Sequence, residues 1–250
     1  MALAFTSLTA LAAHVEQLGV KNGARLVVHS RLLAFGMMED GAAGMAKVLR
    51  AAIGPKGTLV VPTYTLDRHT IYDRATTPSQ NVGVLPEIVR QIEGAVRSAC
   101  PMHNHAAIGR DAALLNAPTG HFSLGAGSDF ELLLREDFTL LLLGAGITEG
   151  ATFVHHVEAL EQVPYRIWLD LQRSVRSGDG PVGTMACRYY GRRDMELHES
   201  FDMLETPLLA AQQVSKVKAP YGFSRLITLA ALSLATHAAL KQNPYCLVKS

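Results

Sequence analysis

The segment TFVHHVE at 152–158 holds the residue types of a proton-transfer site. On a helix, His155 and Glu158 lie three apart and project from one face. A carboxylate there holds an imidazole in one tautomer and favours its protonated form, the setting a general base needs. The same spacing also serves an ordinary surface ion pair, and a histidine with a carboxylate can share a zinc ion. The chain has no HExxH pattern, and Cys100, Cys187 and Cys246 form no cluster, so the expectation is a site without metal.

Other histidines add to the set. MHNH at 102–105 follows a proline and places His103 and His105 on a turn or an extended segment. His29 ends an apolar run, at the carboxyl end of a strand, where open α/β sheets bind ligands. PTYT at 62–65 puts two threonine hydroxyls and a tyrosine ring at the matching end of the next run. The glycines make no nucleotide fingerprint: GHFSLGAG at 120–127 lacks the GKS or GKT ending, and LLGAGIT lacks a third glycine. There is no GxSxG elbow, which argues against a serine hydrolase.

These residues need elements to position them. Residues 7–19 have the apolar period of a helix. RLVVH at 25–29 and TLVVP at 58–62 read as strands buried on both faces. Residues 40–53 between them read as a helix closed by the turn 54–57, which makes a βαβ unit. FTLLLLG at 138–144 is a third buried strand after a helix-like ELLLRED, and a helix follows over 151–163. Residues 184–190 are expected as an edge strand and 226–240 as a C-terminal helix. The polar stretch 66–84 has no period and reads as a lid or binding loop. The fold class implied is α/β: one domain over 1–250, a central mixed sheet with a largely parallel core, flanked by helices.

The 23 basic and 22 acidic side chains leave a formal net charge of +1, no footprint for nucleic acid or an anionic membrane. Three scattered cysteines suit a reducing compartment. The opening segment has no basic n-region, and LITLAALSLATHAAL is interrupted by Thr, Ser and His, short of a membrane span. The expectation is a soluble cytoplasmic protein, compatible with a homodimer.

In order, VVHSRL (27–32), GTLVVPTYT (57–65), GVLPE (83–87), RSACPMHNHAAIG (97–109), LLLG (141–144), TFVHHVE and VPYR (163–166) resemble the motifs of the aminoglycoside 3-N-acetyltransferase, or antibiotic N-acetyltransferase, family. That family is distinct from the GNAT superfamily. The resemblance implies transfer of an acetyl group from acetyl-CoA to an amine. It maps the catalytic base onto His155 with Glu158 as partner. Coenzyme A would meet His29, Ser30, Arg31, Leu32, Thr63, Ser98 and His103, with Arg25 and Arg97 as further phosphate partners. The amine would meet Tyr64, Asp67 and Asp73, with Glu149 as a smaller contributor. The sequence departs from the pattern at Arg31, Cys100, Asn104 and Asp129, where the family has serine, histidine, serine and proline. An antibiotic-resistance role and an amine-acylating biosynthetic role both fit. The rivals are a non-catalytic ligand-binding protein of the same fold and a metal-dependent hydrolase using His103, His105 and His155.

Overall fold

A computed structural model describes residues 3–249 of the chain. It opens with β1 (Phe5–Thr6) and α1 (Leu8–Gln17), whose N-cap Ser7 accepts a hydrogen bond from the Ala10 amide. Next come β2 (Arg25–Ser30), β3 (Met37–Met38), α2 (Gly41–Ile53), β4 (Thr58–Pro62) and α3 (Val84–Arg90). Two antiparallel strands, β5 (Val96–Arg97) and β6 (His105–Gly109), precede α4 (Asp129–Arg135), β7 (Thr139–Leu143), α5 (Ile147–Gly150) and α6 (Phe153–Glu161). The last third holds β8 (Arg166–Val175), β9 (Gly183–Arg192), β10 (His198–Glu199), α7 (Glu205–Ala210), β11 (Val214–Ala219), β12 (Gly222–Thr228), α8 (Leu229–Gln242) and β13 (Val248–Lys249).

The seven-stranded sheet runs β11-β12-β7-β2-β4-β6-β5. Only β7, β2 and β4 are parallel neighbours; every other pairing in the sheet is antiparallel. Side chains of a strand alternate between faces, and here each face builds its own core. Leu26, Val28, Leu59, Val61, Leu141 and Leu143 pack with residues of α1, α2 and α3. Val27, Val60, Leu140 and Leu142 point the other way, into residues of α4, α6 and α8. Burial on both faces is why these three strands read as unbroken apolar runs.

Two expectations need correction. Residues 184–190 belong to β9, which pairs with β8 over ten residues in a separate hairpin rather than at the edge of the main sheet. The C-terminal helix starts at Leu229, because 222–228 form β12 in the sheet. The stretch 66–84 is irregular, as its composition suggests, but it is tied down. Arg173 of β8 donates to the carbonyls of Thr65 and Asp67, and Tyr72 bridges to Val175.

Candidate active site

At the carboxyl ends of β2 and β4, beside the loop that leaves β7, a cavity of about 870 Å³ opens between the sheet and the β8–β9 hairpin. Sheets of this kind open a crevice where neighbouring crossovers diverge, and ligands settle there. Glycine makes the junction possible. Gly144 ends β7 at φ +69°, and a Cβ there would lie 2.7 Å from the Arg31 carbonyl oxygen.

His155 and Glu158 come from one face of α6. Nδ1 of His155 lies 2.6 Å from Oε2 of Glu158, while the ring lines the cavity. Glu158 is fully buried; Tyr165 donates its hydroxyl to Oε1 at 2.6 Å, and Nε of Arg166 is 2.7 Å from Oε2. Nη2 of Arg166 also sits 2.9 Å from His155 Nδ1. Two donors cannot bond one another, so Nδ1–H goes to the carboxylate and Nη2 to Glu199, 3.1 Å away. Burial opposes the charge of Glu158, but His155, Arg166 and Tyr165 outweigh it and hold its pKa below the usual glutamate value. This arrangement engages Nδ1 and leaves Nε2 as the His155 nitrogen that Glu158 does not hold.

His29 and His103 form the deep wall with Tyr64, whose ring meets His103 edge-on at 4.8 Å. Burial, with His105 adding to it, pushes His29 down to about 3. Burial, with His155 adding to it, does the same to His103. Both are neutral imidazoles near neutral pH. His103 contacts the Ser123 hydroxyl through Nδ1. Ser30, Arg31 and Leu32 line the outer wall with Val82, Gly83 and Val84, and Arg31 is exposed there.

Six expected site residues do not reach the cavity. Thr63 is buried and bonds Asn104 at 2.8 Å. Ser98 is turned inward to Asp129, 2.5 Å away, which also accepts from His105 Nδ1 at 3.0 Å. Asp67 is on the surface, capping His69 and Thr70. Asp73 is buried and accepts from the amides of Ala75, Thr76 and Gly178. The hydroxyls of Thr63 and Ser98 are taken up by buried side chains, and the two aspartates largely by backbone amides, instead of facing a ligand. Arg25 is bound to Asp111 at the opposite end of β2. Arg97 is buried among Thr63, Thr77 and Asn104.

The departures from the family pattern acquire places. Asn104 and Asp129 anchor this buried network. Cys100 is packed with Met102 and Cys187, and burial drives its thiol well up, so it is no nucleophile. The Nδ1 atoms of His103, His105 and His155 turn to three different partners. Among the described residues, no group of three or more candidate ligands converges on one point. Sequence reasoning gave no role to Tyr165, Arg166, Arg192 or Glu199. The first two lie in the VPYR segment, eight residues past Glu158 at most, which was a usable signal. Arg192 is brought in by the hairpin and Glu199 by β10, which pairs with β13, and no spacing relates them to α6.

The sequence pattern of the family described as aminoglycoside 3-N-acetyltransferase matches residues 27–241. The aminoglycoside N(3)-acetyltransferase III of Salmonella sp is 31% identical over 198 residues, 70% of this chain and 68% of that protein. The aminoglycoside N(3)-acetyltransferase VII of Streptomyces paromomycinus is 31% identical over 67% of this chain and 65% of its own length. Among solved structures, aminoglycoside acetyltransferase AAC(3)-Xa superposes with a TM-score of 0.85 at 25% identity, covering 96% of this chain and 94% of that one. A histidine-to-alanine mutant of AAC(3)-IVa in complex with a gentamicin gives a TM-score of 0.82 at 26% identity over 99% and 93%. With the motifs in order along one sheet and its crevice, the chain belongs to the aminoglycoside 3-N-acetyltransferase family.

Proposed function

We propose that this acyltransferase moves the acetyl group of acetyl-CoA to a primary amine of an aminoglycoside-like acceptor, with His155 as the general base. One observation carries the reading: His155 is held by its Nδ1 on Glu158, itself fixed by Tyr165 and Arg166, with its ring on the cavity wall.

A protonated amine has no lone pair to attack with. The amine therefore attacks as the neutral base, its extra proton left in bulk water, and His155 Nε2 accepts one of its two remaining N–H protons as the N–C bond forms, a step typically worth about 10²–10⁴ in rate. Glu158 stabilises the imidazolium that results. His155 then holds the proton needed by the departing sulfur, so the proton count balances. Acetyl-CoA, when bound, supplies the activated thioester carbonyl. The wall residues suit such a molecule. Leu32, Leu33, Met38, Val82 and Val84 offer an apolar strip for a flexible arm, and the exposed Arg31 offers a cation for phosphate. His29, Ser30 and His103 complete that side, and Tyr64 flanks the reacting centre. Thr63 and Ser98 support the wall from behind. No helix among the described residues is long and apolar enough to cross a membrane. The cytoplasm, where acetyl-CoA is made and used, is the compartment this chemistry asks for.

The test is free thiol released from acetyl-CoA on adding an amine panel, with the acetylated product identified by mass. Release that depends on both the amine and His155 is expected. Coenzyme A binding without release from any amine overturns the reading in favour of a non-catalytic ligand-binding protein.

A further inference from the structure

Every side of the His103 ring but one is taken. Tyr64, Tyr189 and Phe130 frame it, with ring centroids at 4.8, 5.7 and 6.3 Å. Nδ1 contacts the hydroxyl of Ser123. Ser123 is sealed from solvent, and its amide is bonded to the Arg188 carbonyl of β9 at 2.9 Å. The Ser123 hydroxyl has no other partner among the described residues. If it accepted from Nδ1, its own proton would be left buried and unmet. Ser123 therefore donates, Nδ1 accepts, and the ring proton sits on Nε2. Among the described residues Nε2 of His103 has no partner. It opens on the cavity, whereas Nε2 of His105 is sealed in the interior.

The outcome is a neutral N–H donor aimed into the cavity. Burial pushes protonation of the ring down to about 3, and His155, His105, Arg166 and Arg173 act in the same direction. The charges that oppose an imidazolium there favour an anion against Nε2 instead. Acyl transfer creates such an anion. As the amine nitrogen bonds to the thioester carbon, the carbonyl π pair moves onto oxygen, and it returns when the C–S bond breaks. A donor fixed in advance and sheltered from water stabilises that charge without reorganising. His103 keeps its proton throughout, so the proton balance between amine, His155 and sulfur is untouched. The other groups of the deep wall fit the task less well. His29 is also neutral, but no hydrogen bond among the described residues sets its tautomer. The Tyr64 hydroxyl is sealed off.

We propose that His103, its tautomer fixed by Ser123, is the oxyanion donor of the acyl transfer, Nε2–H bonding the thioester oxygen as negative charge builds on it. The inference rests on the acyl-transfer reading above and names a catalytic and a positioning residue for that same site.

The experiment uses the full chain and compares wild type with His103→Ala, His103→Gln and Ser123→Ala. The readouts are kcat for thiol release at saturating acetyl-CoA and amine, calorimetry with free coenzyme A, and urea melts to confirm the fold. Free coenzyme A lacks the acyl oxygen, so its affinity should hardly change in any variant. His103→Ala should lower kcat by about 10²–10³, the usual loss for one oxyanion donor. His103→Gln offers an amide N–H near the place of Nε2 and should recover about tenfold, the scale of one hydrogen bond. Ser123→Ala should lower kcat severalfold. Its ¹⁵N spectrum should show His103 as a mixture of tautomers, where wild type shows the proton on Nε2; a merely structural serine would leave that signature alone. A wild-type spectrum with the proton on Nδ1 overturns the proposal whether or not the variants fold. So does a folded His103→Ala that keeps kcat while losing affinity for free coenzyme A, which would make His103 a cofactor contact and leave acyl transfer intact. Thiol release by wild type with no amine at all in the panel overturns both readings.

Discussion

Glu158 reaches His155 across one turn of α6, 2.6 Å from carboxylate oxygen to Nδ1, with no exposed surface of its own. A buried carboxylate is costly unless every lone pair is met. At the start of β8, Tyr165 donates its hydroxyl to Oε1 and the Arg166 guanidinium sets its charge 2.7 Å from Oε2. The pair is therefore part of a four-residue unit joining α6 to the hairpin, unlike the exposed ion pair that i,i+3 spacing usually denotes.

The first prediction is a split between neighbours. His155→Ala should lower kcat by about 10²–10⁴ with coenzyme A affinity nearly unchanged, because proton transfer and cofactor contact use different walls. His156 is fully buried between Phe130 and Phe153, so His156→Ala should cost about 1–3 kcal/mol of stability instead. Per folded molecule it should stay active. Steady-state assays beside urea melts read both; an inactive, stable His156→Ala would reverse the assignment.

Tyr165→Phe tests the unit. It deletes one charge-assisted hydrogen bond to Glu158, typically about 1.5–3 kcal/mol. Glu158 has its pKa lowered in the fold, so it adds stability above its unfolded value that is lost as pH falls. The variant weakens that lowering, so its stability deficit should be full at neutral pH and shrink under acid. A deficit that grows on acidification would place the hydroxyl elsewhere energetically.

How much of this was legible in sequence depends on how local the signal was. The parallel strands announced themselves because burial on both faces demands apolar runs, and His155 with Glu158 because a helix makes three apart a contact. β11 (VSKVKA) did not, since an edge strand defended by lysines looks polar. Asp67 and Asp73 are acids in a polar loop, and sequence does not distinguish a carboxylate that binds a ligand from one that caps its own turn. Arg192 meets Arg166 only because β8 and β9 pair in one register, and Glu199 reaches it from β10, held against β13. That is a tertiary fact with no periodicity behind it.

Arg31 is the departure with the clearest consequence. It is an exposed cation on the outer wall, beside the apolar strip. Arg31→Ala should weaken coenzyme A binding severalfold at low salt and much less at high salt, since exposed charges are screened within about 10 Å at 0.1 M. The kcat at saturating acetyl-CoA should hold. Calorimetry at two ionic strengths measures this, and equal loss at both would assign Arg31 a structural task in the turn after β2.

Acid should unfold this protein earlier than its carboxylates alone would. His29 and His103 are held down to about 3, and His156 to about 4, chiefly by burial. Unfolded, each titrates near 6.5. Between these values the unfolded chain binds protons that the native one refuses, so stability is full above 6.5 and falls as pH drops toward 4. At about pH 5 the linkage amounts to about 1–2 kcal/mol per histidine, a large share of a typical margin of about 5–15 kcal/mol. Glu158, with its lowered pKa, adds a loss only below the glutamate range near 4.5, so the two windows separate. Urea midpoints measured from neutral pH down to about pH 5 should decline throughout. His103→Gln, which keeps a polar side chain but cannot titrate, should flatten the slope by about one proton's share. A wild-type midpoint constant over that range would mean that these imidazoles take up protons in the folded state, with His29 and His103 reaching water through the cavity.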